Sequence, residues 1–245
     1  MKKNRDLFIS AVIVAAGKGS RMKMDINKQY VEIGGVPVLA RTIQVFEDCS
    51  MVDEIVVVVN EQDIFYCKEH IVDEFGFTKI KKLVSGGATR QNSVYNGILE
   101  VSERCDIVLI HDGARPFILE ESIIESIYAA QEYGASCVAV PVKDTIKIAD
   151  SEGFVERTLD RSLLWSIQTP QTFRLELIMQ AHKKAAESGF IGTDDAVLVE
   201  RLGHRLKLVM GSYDNIKITT REDLALAEAI ISSREEHGTD RTSYS

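Results

Sequence analysis

The chain has 245 residues, 45% of them hydrophobic and 27% charged, which suits one large domain or two small ones and excludes a disordered tail or a small disulfide-stapled fold. Asp and Glu number 37 against 29 Lys and Arg, a net charge of −8 that argues against a dominant nucleic-acid surface, since such surfaces neutralise phosphates with clustered cations. Any phosphate chemistry must therefore draw on local cations.

The N-terminus imitates a signal peptide, with Lys2, Lys3 and Arg5 ahead of the apolar run Ile9–Ala16. That run is short, however, and Gly17-Lys-Gly-Ser-Arg21 follows it directly, as expected of a buried strand entering a functional loop. No other segment approaches the ~20 apolar residues of a membrane span. A cytoplasmic protein is the expectation. Further short apolar runs follow at Glu54–Val59, Ile80–Val84, Asp106–Ile110 and Ser136–Val142. Glu54–Val59 is continuously apolar, which suits a strand covered on both faces. Between these runs lie helical patterns. Pro37 stands near the start of one whose Leu39, Ile43 and Phe46 share a face, and Ile123, Ile124, Ile127 and Ala130 fall at helical spacing in another. The alternation predicts a doubly wound, mostly parallel α/β sheet, with ligands at the carboxyl ends of its strands.

After Pro141 the pattern changes. Asp144–Ile148, the polar turn Asp150-Ser-Glu-Gly153 and Phe154–Thr158 read as a β-hairpin, an arm leaving the main sheet over about 142–170. Helices resume near Arg174–Glu187 and Thr193–Leu202, the second with capping oxygens from Thr193-Asp-Asp195. Leu206–Val209 and Ile216–Ile218 read as late strands, and a last helix runs near Arg221–Ser233. The expected organisation is a single domain over 1–235 with a polar, mobile tail over 236–245. The four cysteines, Cys49, Cys67, Cys105 and Cys137, form no C-x-x-C pair and read as reduced, mostly buried thiols.

Four stretches carry candidate chemistry. Ala15-Ala-Gly-Lys-Gly-Ser-Arg-Met22 follows the first strand, where Ala15, Ala16, Gly17 and Gly19 let backbone N–H groups approach phosphate oxygens, with the cations Arg21 and Lys28 at its edge. It fits neither the Walker A nor the dinucleotide fingerprint. Ser85-Gly-Gly-Ala-Thr-Arg-Gln-Asn-Ser93 follows the third strand and opens a helix, offering Gly87, a helix N-terminus and Arg90, with Ser93 placed to bond a base edge or to serve as a first-turn polar residue. The fourth strand ends in His111-Asp-Gly-Ala-Arg-Pro116, where Asp112 is placed to orient a hydroxyl or assist a divalent cation; an ion pair with Arg115 that shapes the turn is the alternative. His111 reads as a packed histidine and the remaining four histidines as scattered. In Asn215-Ile-Lys-Ile-Thr-Thr220, Lys217 points opposite to two apolar neighbours, either toward a ligand or toward solvent.

These stretches, with Lys28-Gln-Tyr30, Asp144-Thr-Ile-Lys147, Gln168-Thr-Pro-Gln171 and Thr193-Asp-Asp-Ala196, resemble in order and spacing the 2-C-methyl-D-erythritol 4-phosphate cytidylyltransferase family, from about Ile9 to the last helix. The resemblance implies a fold of nucleotide-diphospho-sugar transferase type and transfer of CMP from CTP to methylerythritol phosphate. Pyrophosphate is released, with magnesium, in the non-mevalonate route to isoprenoids. By residue matching it implies that Arg21 and Lys28 stabilise the transition state and that Arg161 and Lys217 aim the attacking phosphate. Ala15, Ala16, Gly17, Gly19, Gly87, Arg90, Ser93 and Asp112 would hold CTP, while Asp112, Arg115, Thr145, Arg161, Thr169 and Lys217 would border or hold the acceptor. It also implies a homodimer in which the arm, with Thr145 and Arg161, serves the partner's site. Metal ligands are not legible. Asn27, Ala88 and Gly113 depart from the usual family residues at their positions. Ribitol 5-phosphate cytidylyltransferase is the nearest alternative and a non-catalytic nucleotide-binding regulator a distant one.

Overall fold

The structure is a computed structural model that describes residues 7–17 and 28–236, without the Lys28 side chain. A seven-stranded sheet forms its centre. The chain enters through β1 (Phe8–Val14), a 3-10 turn Lys28–Tyr30, a two-strand ribbon of β2 (Glu32–Ile33) and β3 (Val36–Pro37), and α1 (Val38–Asp48). It continues through β4 (Glu54–Val59), α2 (Ile64–Cys67) with a following π turn, β5 (Ile80–Ser85), α3 (Arg90–Leu99), β6 (Cys105–Asp112), α4 (Glu120–Tyr133) and β7 (Ala135–Pro141). The hairpin β8 (Lys147–Ala149) and β9 (Val155–Thr158) precedes β10 (Trp165–Arg174), α5 (Leu175–Ser188), α6 (Ala196–Glu200), β11 (Lys207–Met210) and α7 (Arg221–Glu236).

Strand order is β11-β7-β10-β6-β1-β4-β5. All neighbours pair in parallel except β10, which runs antiparallel between β6 and β7. The inner strands β1, β4, β6 and β7 are buried on both faces because helices cover both. Ile9, Ala11 and Ile13 of β1 pack with Leu39, Ile43 and Phe46 of α1 and with Ile123 and Ile127 of α4. On the other face Val12, Val56 and Val108 meet Val94 and Ile98 of α3 and Ile178 and Ala181 of α5. A smaller cluster seats α7, through Ala227, Ile230 and Ile231, on Ile33 and Val38. Strand alternation thus feeds two cores, which is why a continuous run such as Glu54–Val59 is wholly buried. All four cysteines are buried free thiols.

Two expectations change. Ile216–Ile218 is not a strand: the segment has one backbone bond to the loop after β6, from Ile218 N–H to the Ala114 carbonyl at 2.9 Å, and no ladder. Side chains replace the ladder, with Arg115 donating to the Asn215 carbonyl at 2.7 Å and Asn215 donating to the Thr169 carbonyl at 3.1 Å. Conversely, Gln168-Thr-Pro-Gln171 lies inside β10, whose register shifts between Ile167 and Gln171. Its polar side chains are buried beside β6 and β7, so the sheet takes in the end of the stretch over 142–170 that was expected to leave it as the arm. The hairpin itself forms as expected, with Lys147 opposite Thr158 and Ile148 opposite Arg157. At its tip the Asp150 carboxylate accepts from Glu152 N–H at 3.0 Å and Phe154 N–H at 2.9 Å. The expected tail falls almost entirely outside the described residues. No helix among them is long and apolar enough to cross a membrane.

Candidate active site

Because β1 is followed by β4 and β5 on one side and by β6 on the other, the sheet reverses its winding at β1, and loops at the carboxyl ends of these strands part to leave a cleft. Its volume is about 610 Å³, and Ala15, Gly17, Gly87, Arg90, Asp112 and Lys217 are among its lining residues. The loops after β1 and β5 approach so closely that a Cβ on Gly86 would stand 2.3 Å from that of Ala16, so only glycine fits there. The rim beside Gly87 is the start of α3, where the Thr89 hydroxyl accepts from Asn92 N–H at 3.1 Å, leaving the first-turn N–H groups and Arg90 at the cleft.

Asp112, the last residue of β6, is the hub. Its Oδ2 lies 2.8 Å from Lys217 Nζ and 3.5 Å from Arg115 Nε, and its Oδ1 lies 3.3 Å from Arg90 Nε. Burial works to raise the Asp112 pKa, but Arg90, Lys217 and Arg115 override it and hold the carboxyl well below the usual carboxylate range. Arg90 reaches a second carboxylate, Asp195 Oδ2, at 2.8 Å. Three cations therefore share two carboxylates, and the cleft floor keeps a positive excess in a poorly solvated setting, suited to a polyphosphate.

Behind Asp112 a chain of hydrogen bonds fixes His111. The Asp112 N–H donates to Thr169 Oγ1 at 3.1 Å; because the Arg115 carbonyl facing Nε2 can only accept, Nδ1 of the neutral ring is the acceptor, and the Thr169 hydroxyl donates to it at 3.1 Å. Nε2 then carries the proton, given to the Arg115 carbonyl at 3.1 Å. Burial pushes this imidazole down to about 4, and with both nitrogens occupied it is a structural post, not a base. The unfolded chain takes up this proton near the ordinary value of 6.5, so the contribution to stability is complete above pH 6.5 and lost as pH falls toward 4. We expect a loss of about 3 kcal/mol across that window, visible as a falling thermal midpoint, and a flatter pH profile for His111→Asn. Equal slopes for the two proteins would remove His111 as the source.

Comparison with known proteins agrees with this geometry. The family model for 2-C-methyl-D-erythritol 4-phosphate cytidylyltransferase (IspD) matches residues 9–233. The chain belongs to this family. The curated 2-C-methyl-D-erythritol 4-phosphate cytidylyltransferase of Caldanaerobacter subterraneus subsp. tengcongensis is 53% identical over 223 residues, covering 91% of this chain and 98% of that protein. That of Clostridioides difficile is 50% identical, with 91% and 93% covered. Among solved structures, the 4-diphosphocytidyl-2C-methyl-D-erythritol synthase of Anaerococcus prevotii superposes with a TM-score of 0.84 at 37% identity, covering 93% of this chain and 97% of that one. The cytidylyltransferase of Thermus thermophilus gives 0.73 at 32% identity, with 90% and 98% covered.

Among the described residues, those the family resemblance implies fall into three groups in this cytidylyltransferase fold. Ala15, Ala16, Gly17, Gly87, Arg90, Ser93, Asp112 and Lys217 line the cleft together. Ser93 is 3% exposed, and its hydroxyl is already committed to the loop, accepting from Gly87 N–H at 3.0 Å and donating to the Thr89 carbonyl at 2.9 Å. Thr169 is buried behind the floor, and Arg115 links the floor to Asn215. Thr145 and Arg161 stand exposed on the arm, away from the lining, where Arg161 donates to the Lys143 carbonyl at 2.7 Å. Gly19, Arg21 and Asn27 lie outside the described residues, as does the Lys28 side chain. Of the other departures, Ala88 is an exposed cleft residue, and a Cβ at Gly113 would stand 3.0 Å from that of Ala15 and 3.1 Å from Leu39 Cδ1. This chain's packing is thus fitted to glycine there.

Three further side chains build the site without a local sequence signal for it. The sequence marks Asp195 only as a helix cap, yet it pairs with Arg90. Gln171 accepts from the N–H groups of Asp195 and Ala196 at 3.1 and 2.9 Å, fixing the start of α6. Gln29, 2% exposed, lines the cleft beside Lys28 with neither amide atom in a well-formed hydrogen bond among the described residues.

Proposed function

We propose that this enzyme transfers CMP from CTP to 2-C-methyl-D-erythritol 4-phosphate in the cytoplasm, giving 4-diphosphocytidyl-2-C-methyl-D-erythritol and pyrophosphate, with Asp112, Arg90, Arg115 and Lys217 as the charged core of its site. The observation that carries the assignment of roles is the Asp112 hub at the sheet's switch point. An oxygen of the acceptor phosphate attacks the α-phosphorus of CTP, and the bond to the pyrophosphate oxygen breaks. A phosphate monoester has a second pKa of about 6, so at pH 7 the nucleophile is already mostly dianionic and needs no general base. This agrees with a floor whose histidine is neutral and locked. What the chain supplies is position and positive charge: backbone N–H groups after β1 and at α3 for the nucleotide, Lys217 for the acceptor, Arg21 and Lys28 for charge on the α-phosphate and the leaving group.

Among the described residues no three His, Cys, Asp or Glu side chains converge as a metal site. Asp112 is the carboxylate among those residues that lines the cleft, which fits a magnesium ion carried largely by the triphosphate. Bound there, it would neutralise charge on the phosphates.

The proposal includes a homodimer formed through the arm. Support comes from the arm's exposed apolar side chains, Phe154 at 67%, Val155 at 60% and Leu163 at 76%, beside the exposed Arg161. If the arm serves the partner's cleft, mixing inactive Arg161→Ala with inactive Lys28→Ala protein restores activity in heterodimers. No recovery after verified subunit exchange would count against it. The activity itself is tested by pyrophosphate release from CTP and magnesium with methylerythritol 4-phosphate or ribitol 5-phosphate, beside a blank without acceptor. Strong preference for methylerythritol phosphate is expected; preference for ribitol phosphate would keep the chemistry and change the acceptor, and turnover with neither would overturn the reading.

A further inference from the structure

We propose that Asp195, which does not line the cleft, is a positioning residue for this reaction: it holds Arg90 between two carboxylates and so leaves Asp112 to orient Lys217 and Arg115. The inference rests on the function proposed above. Asp195 is 1% exposed, in the turn before α6, where its N–H donates to Gln171 Oε1 at 3.1 Å. One carboxylate oxygen receives Arg90 Nη1 at 2.8 Å, and the other stands 3.5 Å from His182 Nε2 without a hydrogen bond. The His182 ring is itself buried and stacked on Tyr95 at 5.4 Å. Among the described residues Arg90 is the cation hydrogen-bonded to this buried carboxylate.

The guanidinium uses different nitrogens for its two partners, and the contact to Asp195 is the shorter, 2.8 Å against 3.3 Å to Asp112. Burial works to lower the Arg90 pKa, and Asp195 first, then Asp112, override it. A planar fork can bridge two carboxylates in this way, whereas an ammonium is a single point of charge. With the Asp195 charge removed, Asp112 is the only anion among the described residues facing Arg90, and the freed Nη1 turns with Nε onto both Asp112 oxygens, displacing Lys217 from the Oδ2 it holds at 2.8 Å. The cleft then loses both a forward-facing guanidinium and the aim of Lys217, although neither residue has been altered.

The test is a double-mutant cycle. Asp195→Asn keeps the shape and removes the charge, and should lower kcat/KM about thirtyfold, as a small misplacement of reacting groups does. In an Arg90→Ala background the same substitution should change kcat/KM less than about twofold, because its route of action is gone. Arg90→Lys, which keeps the charge without the fork, should fall by about tenfold or more. Melting midpoints fix a working temperature at which each variant is folded. Calorimetry of CTP binding carries the same cycle where turnover is too low to measure. Equal factors in both backgrounds, or wild-type kcat/KM for Arg90→Lys, would overturn the positioning role. That second result also decides the matter if Asp195→Asn does not fold. Wild-type protein inactive with both acceptors would instead count against the function, and the calorimetric cycle would still test the coupling.

Discussion

Asp112→Asn is expected to reduce kcat/KM by about a thousandfold, the upper range for losing one preorganised electrostatic group. Three cations face this carboxylate within 3.5 Å, and the amide that replaces it turns N–H groups toward some of them. Lys217 would swing away from the floor, and Arg90 would fall back on Asp195. The same substitution breaks a largely buried ion cluster, so folding stability should drop by about 3 kcal/mol, measurable by urea denaturation. Because its folded-state pKa is depressed, Asp112 stabilises the fold fully above its ordinary value of 3.8 and does so less as pH falls below it. The wild-type profile should therefore go on falling below about pH 4, where the His111 contribution is already spent, and the Asp112→Asn profile should fall less there. Activity within tenfold of wild type would remove Asp112 from the centre of the site.

Lys28→Ala should lower kcat by at least about 100-fold with little loss of stability. Its backbone opens a turn anchored by its neighbours: Gln29 is buried at the cleft, and Tyr30 is buried against the core with its ring 4.8 Å from that of Tyr66. Truncating the side chain leaves those anchors in place. The loss should appear in kcat, because charge on the leaving pyrophosphate grows only toward the transition state. An unchanged kcat in steady-state assays would sink the assignment.

Much of the fold was legible because its strands carry their own signal. Ala11–Ala16 and Ile55–Val59 are apolar without alternation, and only a sheet covered on both faces buries them so. The loops after β1, β5 and β6 were legible as functional because glycine, arginine and aspartate cluster where strands end. β10 was not, since Gln168-Thr-Pro-Gln171 has the composition of a turn; its polar groups are buried because each finds a partner, Gln168 donating to Ser212 and Gln171 to Asp194. Ile216–Ile218 failed in the opposite sense, for an apolar-polar-apolar triplet looks like a strand whether or not an edge is available to pair with it. Asp195 escaped notice because its partner lies 105 positions earlier, and no local pattern encodes a separation of that length.

The antiparallel placement of β10 also separates what can vary from what cannot. Trp165 pairs with Pro141, so the arm leaves and rejoins the sheet at two neighbouring points and is topologically one long hairpin loop. Residues added to or lost from its tip leave the register of every central strand unchanged. Its surface can therefore drift in length and chemistry, while the cleft at the switch point of the sheet is inherited intact.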